Sequence, residues 1–230
     1  MIKSYRKSSS VTHSKESALS ERQFELLLEG ASTLSNSSYY YTPDPEFVIY
    51  TLGRLGLRRG ELCHMCESWI DWRRSMISIP SFENCSCGYC SQLAKQKSSV
   101  RSNCTESEAM DEMWSPKTAA ASRDVYFGFD PRAEMYLERY FDSEEYSSFQ
   151  GSSTAVSRRV KKCAELADGL DKDDIHPHSL RATAATYHAS RGLEMLPLMQ
   201  FMGWAQPSTA EVYISRNGDN TARQLDSLHR

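Results

Sequence analysis

In the segment HPHSLRATAATYH, His178 and Arg181 stand three residues apart, so a helix presents an imidazole and a guanidinium on one face. An imidazole moves protons near neutral pH, and a guanidinium grips anions with paired N–H donors. Alone, the pair also fits a histidine cap beside a surface arginine. Arg58 in LGLRRGEL, with Glu61 one turn later, reads equally as a surface residue, and Tyr213 in STAEVYI as a core aromatic. A second group is of another kind. Cys85, Cys87 and Cys90 in CSCGYC, with Cys104 further on, place four thiols in the polar stretch 81–112. Zinc takes four Cys or His ligands in a tetrahedron, and a metal would stabilise a loop too polar to fold alone. The competing reading is a set of free thiols, because C-x-C-x2-C is a weaker signature than paired CxxC motifs. Cys63 and Cys66 form a nominal CxxC, but one turn apart on a predicted helix they read as core thiols, with one of them an alternative fourth ligand to Cys104.

Order and spacing lift these residues above their separate readings. LGLRRGEL (Arg58, Glu61) is followed by WSPKTAAASRDVYF (Lys117), then HPHSLRATAATYHASRG (His178, Arg181), then LMQFMGWAQPSTAEVYI (Trp204, Tyr213). In that order the segments resemble the first-arginine motif, the β-hairpin lysine, the His-x-x-Arg helix and the closing tyrosine segment of the tyrosine recombinases, the phage integrase family. The resemblance runs from about residue 18 to residue 215 and is to archaeal-type integrases with a Cys-containing insertion. It does not itself imply zinc.

The resemblance implies a catalytic set of Arg58, Lys117, His178, Arg181, Trp204 and Tyr213. Tyr213 would attack a DNA phosphorus and store bond energy as a 3′-phosphotyrosine, so that cleavage and rejoining need neither ATP nor metal. Arg58 and Arg181 would hold the non-bridging oxygens with a planar fork that lysine cannot copy. Lys117 would protonate the 5′-oxygen leaving group, and His178 would take the tyrosine proton. Trp204, whose indole donates but cannot act as a base, would contact the phosphate or pack Tyr213; most relatives carry histidine there. Glu61 would orient Arg58. Implied partners are double-stranded DNA and further copies of the chain, as a dimer or tetramer on the DNA. Two other readings compete: a catalytically idle DNA-binding regulator on the same fold, and a topoisomerase of the same chemical class, for which the chain is short. Relatives usually carry a separate core-binding domain, whereas about 17 residues precede the resemblance here, leaving a compact solo enzyme, a clamp from a partner chain, or a fragment.

The elements that must position these groups are mainly helical, with one small antiparallel sheet, an α+β fold. Residues 1–17 are rich in Ser, Lys and Arg and read as a flexible basic arm; residues 18–230 form the catalytic domain, with the Cys-containing insertion at 81–112. Helices are predicted from Ser20, from Glu46, from Leu57 toward Cys66, and over 131–141, 154–166, 178–191, 196–202 and 207–214. A hairpin is predicted over 69–79 and a third strand over 124–129. Arg158, Arg159, Lys161 and Lys162 on the 154–166 helix read as a solvated charged face or, within a recombinase, as DNA contacts. A net charge of −3 argues mildly against a nucleic-acid partner, but bases and acids are clustered apart, so a basic face remains available. Seven cysteines with no apolar segment after the basic start point to thiols or metal ligands in the cytoplasm, and no run approaches the roughly 20 apolar residues of a membrane span.

Overall fold

The structure, a computed structural model, describes residues 14–37, 43–142, 147–214, 225–226 and 229. Helix α1 (Glu21–Ser37) starts where Ser20 and Gln23 exchange hydrogen bonds, Ser20 N–H donating to Gln23 Oε1 at 2.9 Å and Gln23 N–H to Ser20 Oγ at 3.4 Å. Helix α2 (Pro45–Gly53) opens at Asp44, whose carboxylate accepts the Phe47 N–H at 2.8 Å. Its sequence is apolar all round, and the helix is correspondingly buried at nearly every position. It lies at the centre, with α1, α6 (Pro131–Phe141), α7 (Ser153–Leu166) and α8 (Pro177–Ser190) packed about it. Phe47 of α2 stacks on Tyr140 of α6 at 4.1 Å between ring centroids.

Helix α3 is a single turn, Arg59–Leu62, shorter than the predicted stretch toward Cys66. Strands β1 (Ile70–Asp71), β2 (Met76–Ile79) and β3 (Arg123–Tyr126) follow in the order β1-β2-β3, all antiparallel, with Ile77 opposite Val125. Between β2 and β3 the polar insertion is itself helical. It folds as α4 (Gly88–Val100) and α5 (Glu106–Asp111), the latter started by a capping box in which Thr105 and Glu108 satisfy each other's backbone N–H groups. Its base is closed by main-chain bonds, Glu83 N–H to Trp114 O at 2.8 Å and Cys85 N–H to Met113 O at 3.1 Å.

After α8 come α9 (Met195–Met202) and α10 (Pro207–Glu211). A small second core of Ala182, Ala185, Ala189, Leu198, Met202, Ala210 and Tyr213 joins them to α8. The fold is thus mainly α with one small sheet, as the sequence implies. The part of the expected arm among the described residues, Ser14–Ser17, is a 3-10 turn packed on α8, and Leu19 N–H donates to Thr183 Oγ1 at 2.8 Å. Residues 1–13 lie outside the described residues. Arg54 is fully buried between Phe24 and Tyr187 and paired with Glu21 at 2.8 Å, so it adds nothing to a basic face. None of the described helices is long and apolar enough to cross a membrane.

Candidate active site

Two helix starts, the loop before β3 and the end of α9 bring five of the six candidate residues to one cleft. Arg58 is the N-cap of α3, and Glu61 reaches back to accept both the Arg58 backbone N–H and its Nη1–H, each at 2.7 Å. Pro177 fixes the first turn of α8, and His176 caps it by accepting the Ser179 N–H at 3.0 Å. That start places His178 and Arg181 on the first turns of α8. Lys117 sits in the segment leading to β3, and Trp204 follows the left-handed Gly203 that ends α9. Arg58, Lys117, His178, Arg181 and Trp204 all line a cleft of about 730 Å³.

Three arginines converge on the end of α9. The last carbonyls of a helix lack partners within it, and the dipole makes them negative. Here Arg123 Nε–H donates to Phe201 O at 2.7 Å, Arg181 donates to Met202 O, and Arg58 Nη2–H donates to Gly203 O at 2.6 Å. Arg181 also donates to Gly56 O. A side chain at position 203 would strain a backbone with φ of 62° and strike Ala120 O at 2.9 Å, so glycine is required for this seat. Each terminal nitrogen of Arg58 and Arg181 carries a second N–H beyond the bond described, available to an anion in the cleft.

Glu61, buried, is the counter-ion of the group. It accepts from Arg123 at 2.9 and 3.0 Å as well as from Arg58. Burial pushes its carboxyl up, but the Arg123 guanidinium and its hydrogen bonds, then Arg181 and Arg58, outweigh that and hold it below the usual carboxylate range. Arg181 is pushed down to about 9, by burial first and then by the like charge of Arg58, with Glu61 opposing. It remains charged at neutral pH, and an anion between the two arginines would relieve the strain. His178 is lowered by burial, with smaller effects from the neighbouring charges of His176 and Arg181, which favours the neutral imidazole a base needs.

Tyr213 is placed differently. It lies in the turn after α10, its ring only 4% exposed and stacked on Trp204 at 5.2 Å with 19° between planes. It does not line the cleft but packs directly behind a residue that does.

The basic run of α7 is split by the helix period. Arg159 falls in the buried stripe with Val156, Val160, Cys163 and Ala164, so the expectation that it contacts DNA is corrected. Arg158, Lys161 and Lys162 face solvent; Lys161 lines the cleft and pairs with Asp173 at 3.3 Å, and Lys162 pairs with Glu165 at 3.2 Å. Sequence reasoning overlooked Arg123, although it lies inside the quoted WSPKTAAASRDVYF, and gave no site role to Arg59 or Lys172, two further cations on the cleft wall.

The candidate metal ligands are also rearranged. Cys85, Cys87 and Cys90 come together with His64, their donor atoms all within 4.8 Å of one another. Cys104 is not in the group, which corrects the expected four-thiol set; its thiol instead lies against Thr105 O at 3.5 Å. It stands at the far end of α4, past 13 helical residues. Cys63 and Cys66 are not in the group either, although His64 lies between them.

Comparison with known proteins bears on the family and the fold. The profile of the Phage integrase family matches residues 17–219. Among solved structures, the XerA recombinase superposes with a TM-score of 0.57 at 18% identity over 93% of this chain and 63% of that one. The Tn1549 transposon integrase in complex with circular intermediate DNA gives 0.62 at 18% identity, over 92% of this chain and 66% of that one. XerH bound to its difH substrate in a pre-cleavage complex gives 0.57 at 13% identity, over 99% and 58%. The chain thus spans less than two thirds of each of these solved chains. Comparison with curated protein sequences returns no match.

Proposed function

The chain belongs to the phage integrase family, and on that premise we propose that it cleaves and rejoins double-stranded DNA through a 3′-phosphotyrosine at Tyr213. The observation that carries the reading is the convergence of Arg58, Lys117, His178, Arg181 and Trp204 on one cleft, with Tyr213 stacked behind Trp204. The scissile phosphate sits between Arg58 and Arg181, whose remaining N–H donors stabilise charge growing on the non-bridging oxygens. The turn carrying Tyr213 swings so that its oxygen reaches the phosphorus. A Tyr213 Oη–P bond forms as the P–O5′ bond breaks; the phenolic proton passes to His178, and Lys117 protonates the departing 5′-oxygen. Rejoining is the reverse, with a 5′-hydroxyl displacing the tyrosine. Trp204 donates its indole N–H to the phosphate and holds the tyrosine ring.

DNA lies along the face bearing Arg59, Arg158, Lys161 and Lys172, and the protein acts as a dimer or tetramer on it, in the cytoplasm. No step uses a metal, and a structural zinc ion would belong to the cysteine cluster and not to the phosphate site. The burial of Tyr213 is the observation that favours a second reading, a DNA-binding regulator on the same fold without catalysis.

Incubation with DNA of the protein's own replicon, followed by detergent gel electrophoresis, separates the two. The expected result is a covalent adduct that Tyr213→Phe abolishes while DNA binding stays within a few-fold, because affinity comes mainly from phosphate contacts elsewhere. An adduct surviving in the Phe variant would remove Tyr213 from its role, and no adduct with any replicon DNA would favour the regulator.

A further inference from the structure

We propose that His64, Cys85, Cys87 and Cys90 form a structural zinc site that fastens the insertion to the turn behind the catalytic arginine Arg58. Four soft or borderline donors meet here, one imidazole nitrogen and three sulfurs, all within 4.8 Å of one another. With metal–sulfur bonds of about 2.3 Å and metal–nitrogen bonds of about 2.0 Å, the donors of a tetrahedral site stand roughly 3.5–3.8 Å apart. His64 Nε2 already lies 3.2 Å from Cys90 Sγ and 3.6 Å from Cys87 Sγ.

The imidazole is set for this task. Its Nδ1 lies 2.7 Å from the Gly60 carbonyl, a contact that requires the proton on Nδ1 and leaves the Nε2 lone pair facing the thiols. Orientation of a ligand histidine by a backbone carbonyl on its other nitrogen is the usual outer-shell arrangement of zinc sites. The ring is held flat against Trp114 at 4.8 Å and 13°. The cysteines are equally well placed. Cys87 is the N-cap of α4 and Cys90 lies in its first turn, so the start of one helix brings both sulfurs to the same place. Cys85 is fixed by the main-chain bond to Met113 O.

The insertion needs such a fastening. Of the 13 residues of α4 only Cys90 and Ala94 are buried, so apolar packing contributes little to holding it. A four-ligand ion supplies that stability through the metal, and the Gly60 carbonyl passes the restraint to α3, the turn that holds Arg58 and Glu61.

Elemental analysis of the full chain, purified reduced and without added metal, is expected to find about one zinc per chain, as a single four-ligand site requires. Cobalt loaded in its place should show thiolate charge-transfer absorption and tetrahedral visible bands. His64→Ala and Cys87→Ser should lose most of the metal, whereas Cys104→Ser and Cys63→Ser should keep it. Should the first two variants fail to fold, the wild-type chain still answers. Maleimide labelling mapped by mass spectrometry should find Cys85, Cys87 and Cys90 protected until a chelator is added, and Cys104 labelled equally with and without it. Metal-free reduced protein, chelator-independent labelling of the three thiols, or zinc that survives His64→Ala but not Cys104→Ser would each overturn the site.

Discussion

Glu61→Gln removes the negative charge that faces Arg58, Arg123 and Arg181 while keeping the size of the side chain. The amide has one acceptor where the carboxylate had two, and its NH2 group points at guanidinium donors. Leaving a buried charge without its partner costs about 3–5 kcal/mol. Arg123 is 5% exposed and bears that cost nearly in full, whereas Arg58 is 24% exposed and recovers part of its loss in water. The expected destabilisation is therefore about 3 kcal/mol, at the lower end of that range. With a urea slope of about 2 kcal/mol per molar, the unfolding midpoint at pH 7 should fall by roughly 1.5 M. The pH dependence has a definite sign. The Glu61 carboxyl is depressed in the folded protein, so its stabilisation is fully present above the unfolded value of about 4.3 and is lost as pH falls through the folded value. Glutamine cannot titrate, so the gap between wild type and variant should hold steady from pH 6 to 8 and close in acid. Coincident midpoints at pH 7, or a gap that widens below about pH 4, would show that Glu61 does not neutralise the arginines.

Two further outcomes bear on the cleft. Arg58→Ala and Arg181→Ala should each slow single-turnover cleavage by about a hundredfold or more, as loss of an oxyanion donor does, and Arg181→Lys should also be poor; near-wild-type rates for both alanine variants would place the phosphate clamp elsewhere. Replacing Arg158 and Lys161 together by alanine should weaken DNA binding and lower its salt slope by about 2, one for each phosphate contact, whereas Arg159→Ala should lower the thermal midpoint and leave the slope unchanged. Binding titrations at several salt concentrations read both, and a slope change confined to Arg159→Ala would reverse the assignment.

Much of the site was legible because its residues sit at element starts, where sequence signals are local. The capping pair Ser20 and Gln23 marked α1, and the helix predicted from His178 starts one residue earlier, at Pro177. The hairpin and third strand lay where β-branched and aromatic residues are dense. What escaped was non-local. His64 joins cysteines more than 20 residues downstream, a pairing that no ligand spacing announces. Arg123 reads as an ordinary strand residue until Glu61 and the end of α9 are brought beside it. The helices of the insertion lack the apolar stripe that reveals a helix, although the Thr105–Glu108 capping box was there to be read. Arg159 was assigned by charge, when its position in the i, i+3, i+4 stripe with Val156 and Val160 decided its burial.

The three successive carbonyls at the end of α9 have a bearing on the order in which the cleft is assembled. Arg58, Arg123 and Arg181 come from well-separated parts of the chain, and each is held by a carbonyl from residues 201 to 203. During synthesis those carbonyls leave the ribosome after all three arginines and before Tyr213. A nascent chain therefore carries unanchored guanidiniums until residues 201–203 are made, and the anchoring contacts form across long loops that close late. The arginine-lined cleft therefore takes its final geometry only after residues 201 to 203 have emerged.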